Sequence, residues 1–240
     1  MAAEISDASE QESVPLHGLT VPLDRRLMSE AIIESLTSGR YEIGEARLLP
    51  RLIRPGERVV EVGAGIGVLT ALIARTGRAE LVVAIEASPL LQDYIRQLHH
   101  LNDARVELRQ ALVSPAASEP TATFYLHRDL WASSPARFKR RHQIGTLEVP
   151  VLSLAEVAET WRPTLLIVDI EPFAAWSSAE TPQQSLAAAD FRPFERVLLE
   201  LKSKKFPPEA LAQVFAHFAA QGFVQDEALS NGPVALFKRA

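Results

Sequence analysis

The stretch that decides the fold is Arg58-Val59-Val60-Glu61-Val62-Gly63-Ala64-Gly65-Ile66-Gly67-Val68-Leu69-Thr70-Ala71-Leu72-Ile73-Ala74-Arg75. It reads as a short buried strand, a turn of alternating glycines, and a helix that Gly77 can stop. Outward from it the same alternation continues. Leu81 to Ile85 is a second apolar strand. Ser88-Pro89 is expected to open a helix, with Leu91, Tyr94, Ile95, Leu98 and Leu101 on one face and His99 and His100 as surface groups at its end. Val106 to Leu108 is a third strand. Upstream, residues 26–38 and 44–53 read as amphipathic helices, the first closed by Gly39, the second kinked at Pro50. Downstream, strands are expected at 123–126, 147–151, 165–168 and 196–201. A Ser153–Glu156 capping box opens one helix, and Pro207-Pro208 opens another that stops at Gly222. Two strand-like runs, 223–229 and 234–238, flank Asn231-Gly232, a hairpin signal. The expectation is an α/β fold: a Rossmann-like doubly wound sheet, mostly parallel, with a C-terminal antiparallel hairpin and N-terminal helices.

The chain has 240 residues, 47% of them hydrophobic and 23% charged, which suits one soluble globular domain with a sizeable core. It has no cysteine, so disulfides, thiolate metal sites and thiol nucleophiles are excluded. The net charge is −5. Residues 1–14 hold Glu4, Asp7, Glu10 and Glu12 with no base and read as a disordered acidic tail. A single domain is expected over 15–240, as a helical extension over 15–55 and a Rossmann-like core over 56–240. Past residue 14 the chain carries 26 acids against 25 bases, so no nucleic-acid partner is expected. With neither a signal-like N-terminus nor a long apolar run, no membrane is expected and the location expected is the cytoplasm.

In an open parallel sheet, ligands bind beyond the carboxyl ends of the strands. Gly63, Ala64, Gly65 and Gly67 lie there, and glycine lets a ligand approach the backbone without meeting a Cβ. Nineteen residues after Gly67, at the end of the second strand, Glu86 can accept both hydroxyls of a ribose. The pair points to a nucleoside-containing cofactor. The dinucleotide fingerprint would need a small residue where Val68 stands. Glu61 sits poorly beside a pyrophosphate and well beside a cationic amino group. S-adenosylmethionine, with its ammonium and sulfonium and no phosphate, is therefore the cofactor expected.

At these residues the chain resembles the class I S-adenosylmethionine-dependent methyltransferases, and within them the FkbM-type family. The resemblance covers Gly39-Arg40-Tyr41-Glu42 ahead of the glycine loop, Leu108-Arg109-Gln110-Ala111-Leu112-Val113, Val149-Pro150-Val151-Leu152-Ser153-Leu154, and Val168-Asp169-Ile170-Glu171. It implies that Glu61 and the glycine-loop backbone hold the methionine part, and that Glu86, beside Ala87, holds the ribose. It implies further that Gln110 and Ala111 meet the adenine edge and that Asp169 lies near the methyl group or the amine. Gln110 stands where that family has Asn, and Pro172 where it has Gly. The activity implied is O-methylation of a small molecule or a sugar.

A base for the acceptor is sought among Asp169, Glu171 and His142; no metal is expected. Residues 127–142, with Arg128, Arg137, Lys139, Arg140 and Arg141 against Asp129, suit an anionic acceptor. Lys202, Lys204 and Lys205 form a second basic cluster. Three other readings stay open: an RNA methyltransferase, a dinucleotide oxidoreductase, and a cofactor-binding module without activity.

Overall fold

The computed structural model describes residues 12–115, 119–127, 133, 135, 143–169, 189–201, 208–231 and 234–240. Two antiparallel strands, β1 (Ser13–Leu16) and β2 (Leu19–Pro22), come first, followed by helices α1 (Glu30–Thr37) and α2 (Ile43–Leu52). Then come β3 (Glu57–Val62), α3 (Val68–Arg75), β4 (Ala79–Glu86), α4 (Gln92–Leu101), β5 (Glu107–Gln110), β6 (Leu112–Ser114), β7 (Thr121–His127) and β8 (Gln143–Ser153). The rest is α5 (Leu154–Trp161), β9 (Leu165–Val168), β10 (Arg196–Glu200), α6 (Pro208–Ala220), β11 (Phe223–Gln225) and β12 (Val234–Arg239).

Among the described residues the main sheet has seven strands in the order β11-β12-β10-β9-β3-β4-β5. β5, β4, β3, β9 and β10 are parallel, whereas β12 runs antiparallel to both β10 and β11. The expected doubly wound sheet with an antiparallel end is therefore present. Successive strand residues alternate faces, and each face buries its own core. Val59, Val82, Leu165, Ile167 and Leu198 pack under α1–α4. Val60, Val83, Leu166, Val197 and Leu199 pack under α5 and α6. On that second face Phe218 stacks between Phe191, at 4.6 Å, and Phe237, at 4.0 Å between ring centroids. A smaller sheet, β6-β8-β7, leaves the edge after β5 around Phe124, Leu126 and Val149.

Three expectations are corrected. Strand pairing begins at Ser13, inside the expected acidic tail, and the N-terminal extension opens with a hairpin rather than being wholly helical. His17 and Gly18 both have positive φ (49° and 85°), the backbone of a tight two-residue turn. Asn102, the C-cap just past α4, pins this hairpin: its side chain accepts from the Thr20 amide and donates to the Thr20 carbonyl, both at 2.8 Å. Next, Ser88 does not cap α4. The Leu91 amide reaches the Ser88 carbonyl in a turn, and the helix starts at Gln92. Because the helix is short, Leu101 lies at its open end and is 48% exposed. Finally, the 223–229 run is a strand only to Gln225, and Glu227–Leu229 is a 3-10 turn.

At the amino end of the sheet, the Arg196 guanidinium is buried against the Glu57 carboxylate and also donates to the Leu52 carbonyl at 3.0 Å. Thr164 donates to the same carboxylate at 2.5 Å, so one ion pair ties β3, β9 and β10 at their starts. Removing one partner leaves the other charge buried alone. Arg196→Met is therefore expected to lower the unfolding free energy by about 3–5 kcal/mol, read by urea denaturation.

Candidate functional site

Every described candidate lies at the carboxyl edge of β3, β4, β5 or β9, because parallel strands in this register end together. β3 ends at Val62 opposite Ile85 of β4, and Val62 faces Val168 of β9. The Asp169 amide then donates to the Val62 carbonyl at 3.0 Å, which sets Asp169 beside the root of the glycine loop. Glu86 pairs with Gln110, and the Ala111 amide donates to the Glu86 carbonyl at 3.3 Å, so the two places expected to meet ribose and adenine are neighbours. Ala87 is buried in the small core with Leu112 and Phe124. Glu171 and His142 lie outside the described residues, as do most of the basic loop and Lys202, Lys204 and Lys205.

The loop from Gly63 to Gly67 is a crook of backbone. Gly63 and Ala64 donate to the Ile85 carbonyl at 2.9 and 3.2 Å, fastening it to β4. Gly65 has φ 56°, and a Cβ there would have the Tyr41 hydroxyl as its neighbour at 3.7 Å. Gly67, at φ 83°, is more constrained: a Cβ would lie 2.9 Å from Ile95 Cγ2 and 3.0 Å from His99 Nε2. The absent side chain is what lets α4 come up under the loop.

His99 is not a surface group. It is 5% exposed, with Nε2 at 3.1 Å from the Gly67 carbonyl and 3.0 Å from Thr70 Oγ1. A carbonyl only accepts, so Nε2 carries the proton and donates to it. Burial holds the imidazole below its ordinary pKa, which favours this neutral form. The spacing held the signal, since 91, 95 and 99 follow one another on one helix face.

The site is strongly acidic. Glu86 is buried, accepting from the Gly65 amide at 2.9 Å and the Ser88 amide at 2.8 Å. Desolvation raises its pKa to about 7, against the lowering effect of those amides. Glu61 is 1% exposed, and its Oε2 has no hydrogen-bond partner among the described residues. Desolvation and then the nearby Asp169 carboxylate push its pKa well up. Two residues ahead of α2 complete the rim. Tyr41 packs against the core directly ahead of Glu42. Glu42 holds a left-handed backbone, φ 50° and ψ 26°. Its pKa is pushed well up by desolvation and then by Glu61. His17 of the hairpin turn contacts the Tyr41 carbonyl at 2.7 Å.

A buried carboxylate oxygen without a donor calls for a cationic ligand, and an open backbone crook beside a diol-accepting carboxylate calls for a nucleoside. The residues present therefore fit S-adenosylmethionine: Glu61 and the crook for its methionine part, Glu86 for its ribose. Among the described residues no group of His, Asp or Glu is placed to hold a metal ion, and no helix is long and apolar enough to cross a membrane.

Residues 34–114 match the TRM5/TYW2 methyltransferase domain. Ribosomal protein L11 methyltransferase of Symbiobacterium thermophilum is 37% identical over 71 residues, which are 30% of this chain and 23% of that protein. The chain thus spans less than a quarter of the curated relative it matches. Among solved structures, an S-adenosylmethionine-dependent methyltransferase of Streptococcus mutans superposes with a TM-score of 0.55 at 9% identity, over 98% of this chain and 56% of that one. Magnesium protoporphyrin IX methyltransferase of Synechocystis, with bound S-adenosylmethionine, gives 0.52 at 12% identity, over 90% and 89%. One expectation falls with these matches. Nucleic acid is not excluded as a partner: the family matched is the TRM5/TYW2 methyltransferase domain. A near-neutral sum over the folded body averages away any local field and excludes nothing. The matched family is also not the FkbM-type one that the motifs resemble.

Two measurements check this geometry. Gly67→Ala is expected to cost about 1–3 kcal/mol of stability, from left-handed strain and the collision with Ile95 and His99, read by thermal unfolding. Glu86 has a folded pKa of about 7 against an ordinary 4.5, so its contribution is full below pH 4.5 and is lost as pH rises through about 7. The cofactor-free protein is expected to lose about 3 kcal/mol across that window from this group; Glu86→Gln flattens the slope in urea titrations at a series of pH values. The chain has the mixed α/β, mostly parallel-sheet fold of the class I S-adenosylmethionine-dependent methyltransferases.

Proposed function

We propose that this chain transfers the methyl group of S-adenosylmethionine to RNA. The cofactor half of the reading is carried by one observation: Glu86 bridges the crook at Gly65 to the end of β4, beside the unpartnered Glu61 oxygen. The acceptor half is supported by the match of residues 34–114 to the TRM5/TYW2 domain. The buried Val68 at the head of α3, where a dinucleotide fingerprint needs a small residue, weighs against an oxidoreductase.

Bound S-adenosylmethionine supplies an electrophilic methyl group on a sulfonium. The chain's own task is alignment and exclusion of water. The crook and Glu86 fix the nucleoside, so that an acceptor atom can be held about 3–3.5 Å from the methyl carbon. Asp169, the first residue past β9 and beside Val62, would take the acceptor's proton once the methyl group is transferred. Glu61 lies close enough for the two carboxyl groups to act on one another.

The test is calorimetry with S-adenosylmethionine and with a nicotinamide dinucleotide, then transfer of labelled methyl into total tRNA and into a panel of small hydroxyl acceptors. Binding of the first cofactor alone and label in tRNA are expected. Label in small hydroxyl acceptors and none in RNA would return the acceptor to the sugar class. Asp169→Ala is expected to cut turnover by about 10²–10⁴-fold with cofactor affinity retained; unchanged turnover removes Asp169 from the step. Gly65→Val is expected to abolish cofactor binding, since it fills the crook beside the Tyr41 hydroxyl.

A further inference from the structure

The acids that matter to this inference come from separate parts of the fold. Glu61 belongs to β3, Asp169 follows β9, and Glu42 is delivered by the segment joining α1 to α2. All three act on the hydroxyl of Tyr41, which stands over Gly65. Glu61 is almost wholly buried with Oε2 unpartnered, and the Glu42 Oε2 is likewise buried without a partner among the described residues. The charges acting on Glu42 are Glu61, Glu45 and Glu200, all of its own sign. A non-glycine residue in the left-handed region costs free energy and persists only where its surroundings impose it. Here it brings a carboxyl group toward that of Glu61, the reverse of what stability alone would select.

We infer that Glu42 sets the charge selectivity of the cofactor site, so that the positively charged S-adenosylmethionine is held and its neutral-sulfur product S-adenosylhomocysteine is released. This rests on the cofactor reading above. The two ligands share adenine, ribose and amino-acid groups, which the crook and Glu86 address equally. They differ by a methyl group and one positive charge on sulfur. An excess of buried negative charge is the means by which a site distinguishes them: the sulfonium offsets the repulsion among Glu42, Glu61 and Asp169, and the thioether left after transfer does not. The selectivity comes from the N-terminal segment, outside the nucleotide-binding β-α-β core.

The test is titration calorimetry at pH 8 with S-adenosylmethionine and S-adenosylhomocysteine, on the wild-type chain, Glu42→Gln and Glu42→Asp. The wild type is expected to prefer S-adenosylmethionine. Glu42→Gln is expected to weaken that ligand about tenfold while S-adenosylhomocysteine changes less than about twofold, and Glu42→Asp keeps the preference. Binding of S-adenosylhomocysteine by Glu42→Gln shows at once that the variant is folded. An equal loss for both ligands, or an unchanged ratio, overturns the inference and leaves the cofactor reading standing. A wild type that binds neither ligand overturns both.

Discussion

One carboxylate holds the rim of this sheet together. Glu86 takes the Gly65 amide on one oxygen and the Ser88 amide on the other, at 2.9 and 2.8 Å, so the loop after β3 and the turn after β4 share a single anchor. The loop can then remain bare. Its shape comes from that anchor, from the Ile85 carbonyl, from α4 pressed beneath Gly67 and from its own Ile66, buried in the core. A glycine-rich backbone is ordinarily loose; this one is fastened on several sides, which leaves its open face available to a ligand at little ordering cost.

The electrostatics run against stability at one end of the sheet and with it at the other. At the carboxyl edge, Glu61 and Glu86 are buried and Glu42 buries one carboxyl oxygen, and desolvation is the first cause of the raised pKa of each. At the amino edge, the buried Arg196–Glu57 pair, with Thr164, binds three strand starts together. Two hydrophobic layers lie between them. The scaffold therefore concentrates its unfavourable charge where a cation has reason to enter.

The sequence made the sheet legible because its signals are local. Val59 to Val62, Leu81 to Ile85 and Leu165 to Val168 are apolar throughout, as strands buried on both faces must be, and the Ser153–Glu156 capping box forms as its spacing requires. Glu61, Glu86 and Asp169 stand out as candidates in the sequence because strand ends in a parallel sheet fall at one edge. What was not legible depends on contacts distant in sequence. The β1–β2 hairpin rests on Asn102, 82 positions from Thr20. The burial of His99 rests on Gly67, whose missing Cβ leaves room for it. Glu42 reads as an ordinary polar residue before a helix until Tyr41 and Glu61 are set beside it. The neutral charge count misled about partners because a sum carries no positions.

The reversed strand β12 has a consequence for how the chain assembles. It lies between β10 and β11, and β11 joins the sheet through β12 alone among the described strands. Phe223 and Val224 therefore have no pairing partner until residues 234–239 exist, and β10 keeps an open flank until the same moment. The parallel half, β5 to β10, can form earlier, but its last edge closes only when a segment made later slots in against the grain. Assembly thus ends with the insertion of a keystone, and the aromatic stack around Phe218 is completed in that one event by Phe237.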